Sequence, residues 1–272
     1  MTIALTYLTD LSRVRIELSS IAEDVVSIER SANATGPWST VRGAVTVDIV
    51  TGGAIVDDYE FYADVENFYQ VIEVEPTPGT VLETDSITPD LAGATWLKSI
   101  KYPALNRAIP TPDYRPIQRA ARSGVYNIKG KVDPIAAHDA WTSRWWTMET
   151  VTESLVAARD MDLVLAAGGT FFVHVPAETE NECFTNPVSG MPGGYVLIVN
   201  STQIHMVGGS HGMGWTLPVR VVEPPGPEIA GTTITWEGAR RLYGSWEALW
   251  ASNPTWRDLW GQIMDPEDAI QF

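Results

Sequence analysis

One cysteine, Cys183, stands in 272 residues. It cannot close an intramolecular disulfide, and no CxxC or cysteine–histidine cluster is present to hold a structural metal, so stability must come from packing or from partner subunits. No apolar run approaches the roughly 18 residues of a membrane span. Positive charge is scarce as well: 18 Lys and Arg against 34 Asp and Glu leave a net charge of −16. That excludes general nucleic-acid binding, in which basic side chains neutralise phosphates. The stretch MTIALTYLTDLSRVRIEL has no basic patch ahead of a long apolar block, so no secretory signal and cytoplasmic synthesis are expected. GxSxG, P-loop and strand-borne GxGxxG patterns are missing, and Cys183 sits in a polar stretch, ETENECFTNP. No enzyme and no cofactor is expected.

Two clusters invite a metal and fail its spacing rules. His205-Met206 and His211-Gly212-Met213 flank Gly208-Gly209, but a spacing of six across two glycines provides neither a rigid strand pair nor a helical i, i+4 pair. A flexible hairpin tip is expected there. Asp57, Asp58, Glu60, Asp64 and Glu66 are numerous enough for calcium or a glycosidase pair. The calcium-loop spacing with its central Gly and terminal Glu is absent, and carboxylates adjacent in sequence define no acid–base pair, so a solvated loop is expected.

The charge is unevenly spread. Residues 1–90 hold 4 basic and 16 acidic side chains, net −12. Within residues 98–131, Lys98, Lys101, Arg107, Arg115, Arg119, Arg122, Lys129 and Lys131 face only Asp113, a local +7. This strip reads either as a solvated strand-and-loop surface or as a patch that docks on the acidic first third, in the same chain or a neighbouring copy. Head-to-tail contacts of the second kind close into rings.

At this length two modules and an appendage are expected. Residues 14–18, 25–30 and 45–49 alternate apolar and polar, with turn signals at Asn33, Gly36-Pro37, Gly43 and Gly52-Gly53. That punctuation predicts an all-β sandwich over residues 1–78. After Pro76-Thr77-Pro78-Gly79 a second unit, 79–223, brings strands at 171–175, 195–199 and 215–222 around one predicted helix, 154–167. The helix is read from Leu155, Ala158, Met161, Asp162 and Leu165, capped by Thr152 or Ser154 and ended by Gly168-Gly169. A helix among strands that return to one another predicts an antiparallel β-domain with a covering helix.

Pro224-Pro225-Gly226-Pro227 then marks a stiff break that leaves the β-domain behind, opening a third region, 224–272. Ser or Thr followed by Trp recurs every ten residues there, at Trp236, Trp246 and Trp256, with Trp250 and Trp260 four residues after two of them. Ten residues of α-helix turn about 1000°, about 80° short of three turns, so one helix would fan these rings around its axis. Successive short helices capped by Thr235, Ser245 and Thr255 are the better expectation. Each indole can bury on the order of 150–250 Å², so five in 25 residues should cover protein, either this chain's own barrel or a neighbouring subunit.

Several stretches carry a resemblance. VSIERSANATGPWSTVRG followed by DDYEFYADVENFYQVIEV resembles the fibronectin type III modules of phage tail proteins, with Trp38 and Tyr69 in the places of the core tryptophan and of the tyrosine near the penultimate strand. The usual Pro-Gly before that tyrosine is missing. TWLKSIKYPALNRAI, KGKVDPIAAHDAWTSRWWTMETVTES, LAAGGTFFVHVPA, WTLPVRVVEPPGP and the closing TW turns together resemble minor tail proteins of long-tailed phages infecting actinobacteria. The resemblance covers nearly the whole chain. It implies a second unit that is a split β-barrel related to the ring domain of distal tail proteins. It also implies a virion structural protein, assembled in the host cytoplasm, that forms a ring, hexameric by analogy, joining the tail tube protein to other tail tip proteins. Trp236, Trp246, Trp250, Trp256, Trp260, Lys98, Lys101, Arg119 and Arg122 are then the expected intersubunit residues. The rival expectation is a tail-tip module that binds host cell-wall glycan.

Overall fold

The computed structural model describes residues 2–22, 25–75, 77–110, 113–114, 116–130, 132–133, 135–177, 191–205, 212–231, 233–234, 236–255, 258–259 and 262–263. The chain is mainly β, and its largest sheet curls into a half-barrel. Eight strands make the first domain: β1 (Thr2–Leu8), β2 (Arg13–Ser19), β3 (Val25–Ser31), β4 (Ser39–Thr40), β5 (Val47–Asp48), β6 (Gly53–Asp58), β7 (Asn67–Glu75) and β8 (Val81–Ile87). One sheet runs β1-β2-β6 and the other β4-β3-β7-β8, with β5 also on β3. Val14, Ile16, Val26, Ile28, Tyr69 and Val71 alternate inward from both sheets and close one core, as period-2 patterning requires.

This domain runs past residue 78. Strand β8 pairs with β7 along its length, and Leu82, Ile87 and Leu91 pack on the first core. The Pro-Gly near residue 78 is only the hairpin turn between them, with Gly79 at φ 87. Trp38 also departs from expectation: it is half-buried, outside the core that Tyr69 occupies.

The second domain contains β9 (Thr95–Ser99), a short 3-10 turn (Pro103–Leu105), β10 (Arg107–Ile109), β11 (Asp113–Tyr114), β12 (Ala121–Tyr126), β13 (Ile135–Trp141), β14 (Trp145–Thr152), α1 (Leu155–Ala167), β15 (Thr170–His174), β16 (Gly194–Ile198), β17 (Thr202–His205) and β18 (Met213–Val221). Its sheet runs β10-β9-β15-β16-β18-β14-β11, with β17 also on β18. Trp146, Met148, Trp215, Leu217 and Phe171 fill the concave side, and α1 covers them. Among the described residues, strands β12 and β13 pair only with each other, as a separate two-stranded hairpin.

Helix α1 starts where the sequence places it: Ser154 accepts from the Ala157 amide at 3.1 Å, and Gly168 ends it at φ 62. Its buried face is Ala158, Met161 and Val164, whereas Leu155 and Asp162 are exposed. The face is thus rotated from the one predicted, because spacings of three from 158 to 164 keep side chains over the sheet and remove Asp162 from it. Ser154→Ala should lower stability by about 1 kcal/mol in urea unfolding, the usual value of an N-cap; an unchanged midpoint would mean the cap contributes nothing.

The arm folds as α2 (Trp236–Tyr243) and α3 (Trp246–Ser252). Ser245 caps α3 by accepting from the Ala248 amide at 3.2 Å. Thr255 and Asp258 close the next turn reciprocally: Thr255 Oγ1 accepts from the Asp258 amide at 3.2 Å, and Asp258 Oδ2 accepts from the Thr255 amide at 3.0 Å. Thr235, Trp256 and Trp260 lie outside the described residues.

Candidate functional site

Three surfaces concentrate chemistry: the seam between the two domains, the β12–β13 hairpin and the arm. The seam begins with strands whose two faces are both used. On β9 and β15, Leu97, Phe171 and Val173 face the second core. The alternate positions, Trp96, Lys98, Phe172 and His174, therefore share the opposite face, where Lys98 stands directly across from Phe172. Trp96 packs against the first domain's core. That opposite face abuts the first domain instead of water, which explains why Lys98 is 1% exposed.

Lys98 was expected on an intersubunit surface; the structure corrects this and buries it inside the chain. Its Nζ donates to the backbone oxygens of Ser12 at 2.6 Å and Tyr59 at 2.8 Å, meets His174 Nδ1 at 2.8 Å, and lies 4.6 Å from the Phe61 ring centre. Burial pushes the Lys98 pKa well below its ordinary value, against the opposing pull of Asp58 and Glu60. His174 is pushed well down too, first by burial and then by the charges of Lys98 and Arg30.

Asp57 and Asp58 on β6 and Glu60 just after it are no solvated loop either, although Glu66 further on is exposed. Asp58 is 1% exposed and accepts from Arg30 Nη1 at 2.7 and 2.5 Å, from Tyr69 Oη at 2.9 Å and from the Glu60 amide at 2.8 Å. Burial alone would lower the Arg30 pKa, but Asp58 raises it above the ordinary value. Asp57 accepts from Arg13 Nη1 at 2.8 Å and from Arg15 Nε and Nη2 at 2.9 and 3.0 Å. Glu60 accepts from Arg42 Nε at 2.6 Å and from Tyr195 Oη at 2.5 Å. Burial, then Glu60, pushes the Tyr195 phenol up to about 12. All three carboxylates are thus committed to cations, phenols or amides.

The proline-rich segment stays on the body, contrary to the expected break. Arg42 Nη1 donates to the backbone oxygens of Pro225, Gly226 and Ile229 at 3.1, 2.5 and 3.2 Å. The Gly43 amide donates to Pro227 O at 2.7 Å, and the Gly231 amide to Ile100 O at 3.1 Å. The strap therefore ties both domains. Gly231 must be glycine, since a Cβ there would stand 2.2 Å from Lys101 O.

None of the other predicted residues whose side chains are described is buried in the seam. Lys101 is exposed, its Nζ 4.9 Å from the Tyr102 ring centre, and Arg119 is exposed. Arg122 belongs to β12, with its side chain outside the described residues. The hairpin and its base present Tyr126, Ile135 and Trp141 to solvent at 62%, 47% and 66% exposure. On the arm, Ile234, Ala239, Leu249 and Leu259 make a small core of their own. Trp236 and Trp246 are 58% and 61% exposed, with ring centres 5.5 Å apart, and Trp250 is 38% exposed. The described tryptophans of the arm are therefore not sheltered on this chain's barrel.

Among the described residues no group of His, Cys, Asp and Glu is arranged to hold a metal ion, and no helix is long and apolar enough to cross a membrane. Cys183 and His211 lie outside the described residues. Compared with known protein families and with curated proteins, the chain matches none.

Proposed function

We propose that the chain is a structural component of a phage tail tip, a minor tail protein of the distal-tail kind. Its copies form a ring, six by analogy, between the tail tube protein and other tip proteins of the virion. The observation that carries this reading is the Trp236–Trp246 pair. Two indoles stand open to solvent on an arm whose own core is built from other residues, and so large a paired apolar surface marks a protein contact. The finer fold assignments accompany it. Strands β1-β2-β6 facing β4-β3-β7-β8, with Tyr69 buried on β7, support a fibronectin type III-like module. The half-barrel with its covering helix supports a split barrel of the ring-forming type. The arm and the exposed part of the basic strip, Lys101 and Arg119, are the contact surfaces between copies.

Sedimentation of the purified chain at about 10–50 µM should show species above monomer mass. Trp236→Ala/Trp246→Ala should weaken self-association, or association with the tail tube protein, at least about 30-fold. A chain monomeric with and without the tube protein at about 100 µM, and absent from intact virions, would remove this reading. The exposed indoles also favour a second one, stacking on host cell-wall glycan. Pull-down by purified cell walls, lost in the same double variant while self-association is unchanged, would select it.

A further inference from the structure

A lone two-stranded hairpin is marginally stable at best in water and needs a third strand or a packed face. Among the described residues β12 and β13 have neither partner strand nor sheet beyond each other. Their base is tied to β14: the Gln118 amide donates to Trp145 O at 2.8 Å, the Trp145 amide to Gln118 O at 3.0 Å, and the Thr142 amide to Ala120 O at 2.9 Å. Past that base the hairpin turns apolar side chains to water. Tyr126 and Ile135 stand opposite each other in the register, hence on one face, and both are exposed, as are Ile128 and Val132 between the strands. Gly124 belongs to the same face, where a Cβ would stand 2.8 Å from the Tyr126 hydroxyl oxygen. Glycine thus lets the ring lie along the strand, and the chain leaves that ring open.

Charge indicates what covers this face. From residue 115 to 141, Arg115, Arg119, Arg122, Lys129 and Lys131 oppose only Asp133 and Asp139, and Arg119 and Lys129 are exposed. The first domain is the reverse. All four basic side chains of residues 1–90 are turned into ion pairs with Asp10, Asp57, Asp58 and Glu60, none of them more than 13% exposed. The net −12 of that stretch is therefore presented outward with no exposed basic side chain among the carboxylates.

Two places on that surface join exposed carboxylates to exposed apolar side chains. In the first, Val65 and Glu66 are held beside Asp85 and Asp90, because the Ser86 hydroxyl donates to Glu66 Oε1 at 2.7 Å and the Asp64 amide to Pro89 O at 3.0 Å. In the second, Asp48 and Glu75 flank Val25 in the register, with Val50 exposed two residues on. The hairpin face is open within one chain, so the acidic domain that matches it belongs to another copy.

We infer that the β12–β13 hairpin of one copy docks on the acidic first domain of the next, with Tyr126 and Ile135 covered and Arg119 and Lys129 set against carboxylates at the rim. Such a contact runs head to tail and closes into a ring where the rotation permits. It rests on the reading of the chain as a self-assembling subunit, to which it adds which surface meets which.

Sedimentation of full-length charge variants tests it. Arg119→Glu/Lys129→Glu should weaken self-association at least about tenfold, while the melting temperature stays within about 4 °C because both side chains are exposed. Tyr126→Ser/Ile135→Ser should weaken it by a similar factor. On the other side, Glu66→Lys/Asp85→Lys or Asp48→Lys/Glu75→Lys should do the same, whichever pair lies under the hairpin. Mixing that variant with Arg119→Glu/Lys129→Glu should restore association to within about threefold of the parent, since each hairpin again meets opposite charge. Rescue by one acidic pair or the other locates the contact. Parent-like association of Arg119→Glu/Lys129→Glu, or no rescue by either pair with melting temperatures kept, would overturn the contact and leave the arm to join the copies. A parent chain monomeric at about 100 µM would overturn it too, whereas the tail reading falls only if the tube protein and the virion also fail to recruit the chain.

Discussion

Asp58→Ala lowers the stability of the chain by about 3–5 kcal/mol, because it leaves the Arg30 guanidinium buried without its counter-charge. Asp58 is the acceptor for four hydrogen bonds from three groups, so its loss also strips the Tyr69 hydroxyl and the Glu60 amide of their partner. At about 2–4 °C per kcal/mol for a body of this size, the melting temperature should fall by about 6–20 °C. The double change Arg30→Met/Asp58→Leu should be milder than Asp58→Ala alone, since replacing both charges with apolar groups removes the desolvation cost together with the attraction. Thermal unfolding of the three proteins checks this. A drop of less than about 1 kcal/mol for Asp58→Ala would mean that water reaches Arg30 and that the seam is wetter than its geometry.

Much of this fold is legible in the sequence, and the unread part has a common physical origin. Period-2 alternation places β2 and β3, and apolar stretches place β15, β16 and β18, within a residue or two. Ser154 and Gly168 bracket α1 correctly. Alternation succeeds at β2 and β3 because their two faces differ, and β15, covered on both faces, shows instead as an apolar run. Alternation fails where both faces are covered. In TWLKS, the lysine looks like the outward residue of a half-buried strand, yet the outward face of β9 meets another domain. The acidic run at 57–60 looks solvated for the same reason. Its partners Arg13, Arg15, Arg30 and Arg42 are the only basic residues in the first 90 positions, and each forms an ion pair with a carboxylate of this run. Four arginines as the sole cations of so acidic a stretch were a signal available in the sequence. Of the expected short helices α2 and α3 are described, and α3 carries its expected Ser245 cap, but which rings stay exposed depends on the arm's packing and has no local signature.

Adjoining domains are free to move unless their interface is large or strongly specified. Here the specification is polar. The strap ties Arg42 to Pro225, Gly226 and Ile229, and Arg42 also reaches Glu60 and Tyr195 from the two domains. Asp64 accepts from the Leu91 and Ala177 amides, at 2.8 Å each. Hydrogen bonds of fixed direction permit few relative orientations, as the proposed role of a ring subunit would require.

Acid should loosen this seam. The His174 pKa lies well below its ordinary value, lowered by burial and then by Lys98 and Arg30. The unfolded chain therefore takes up a proton on this ring as pH falls through about 6.5 while the folded chain resists. The folded state binds fewer protons in that window, so stability rises with pH and is lost as pH drops, by up to about 1.4 kcal/mol per pH unit below about 6.5. Lys98 has the same sign in another window: its depressed pKa makes stability rise through the alkaline range toward the ordinary lysine value. The groups around the ring are Lys98 on β9, Arg30 on β3 and the Phe61 backbone, and the nearby carboxylates Asp58 and Glu60 are already held by Arg30 and Arg42. Urea unfolding at a series of pH values should show His174→Gln with a nearly flat profile between pH 5 and 7, where the parent chain declines. Lys98→Met should give an intermediate slope, since one of the charges opposing a His174 proton is gone while the burial stays. An acid limb in His174→Gln as steep as that of the parent would assign the loss to other groups and strip the Lys98–His174 contact of its part in it.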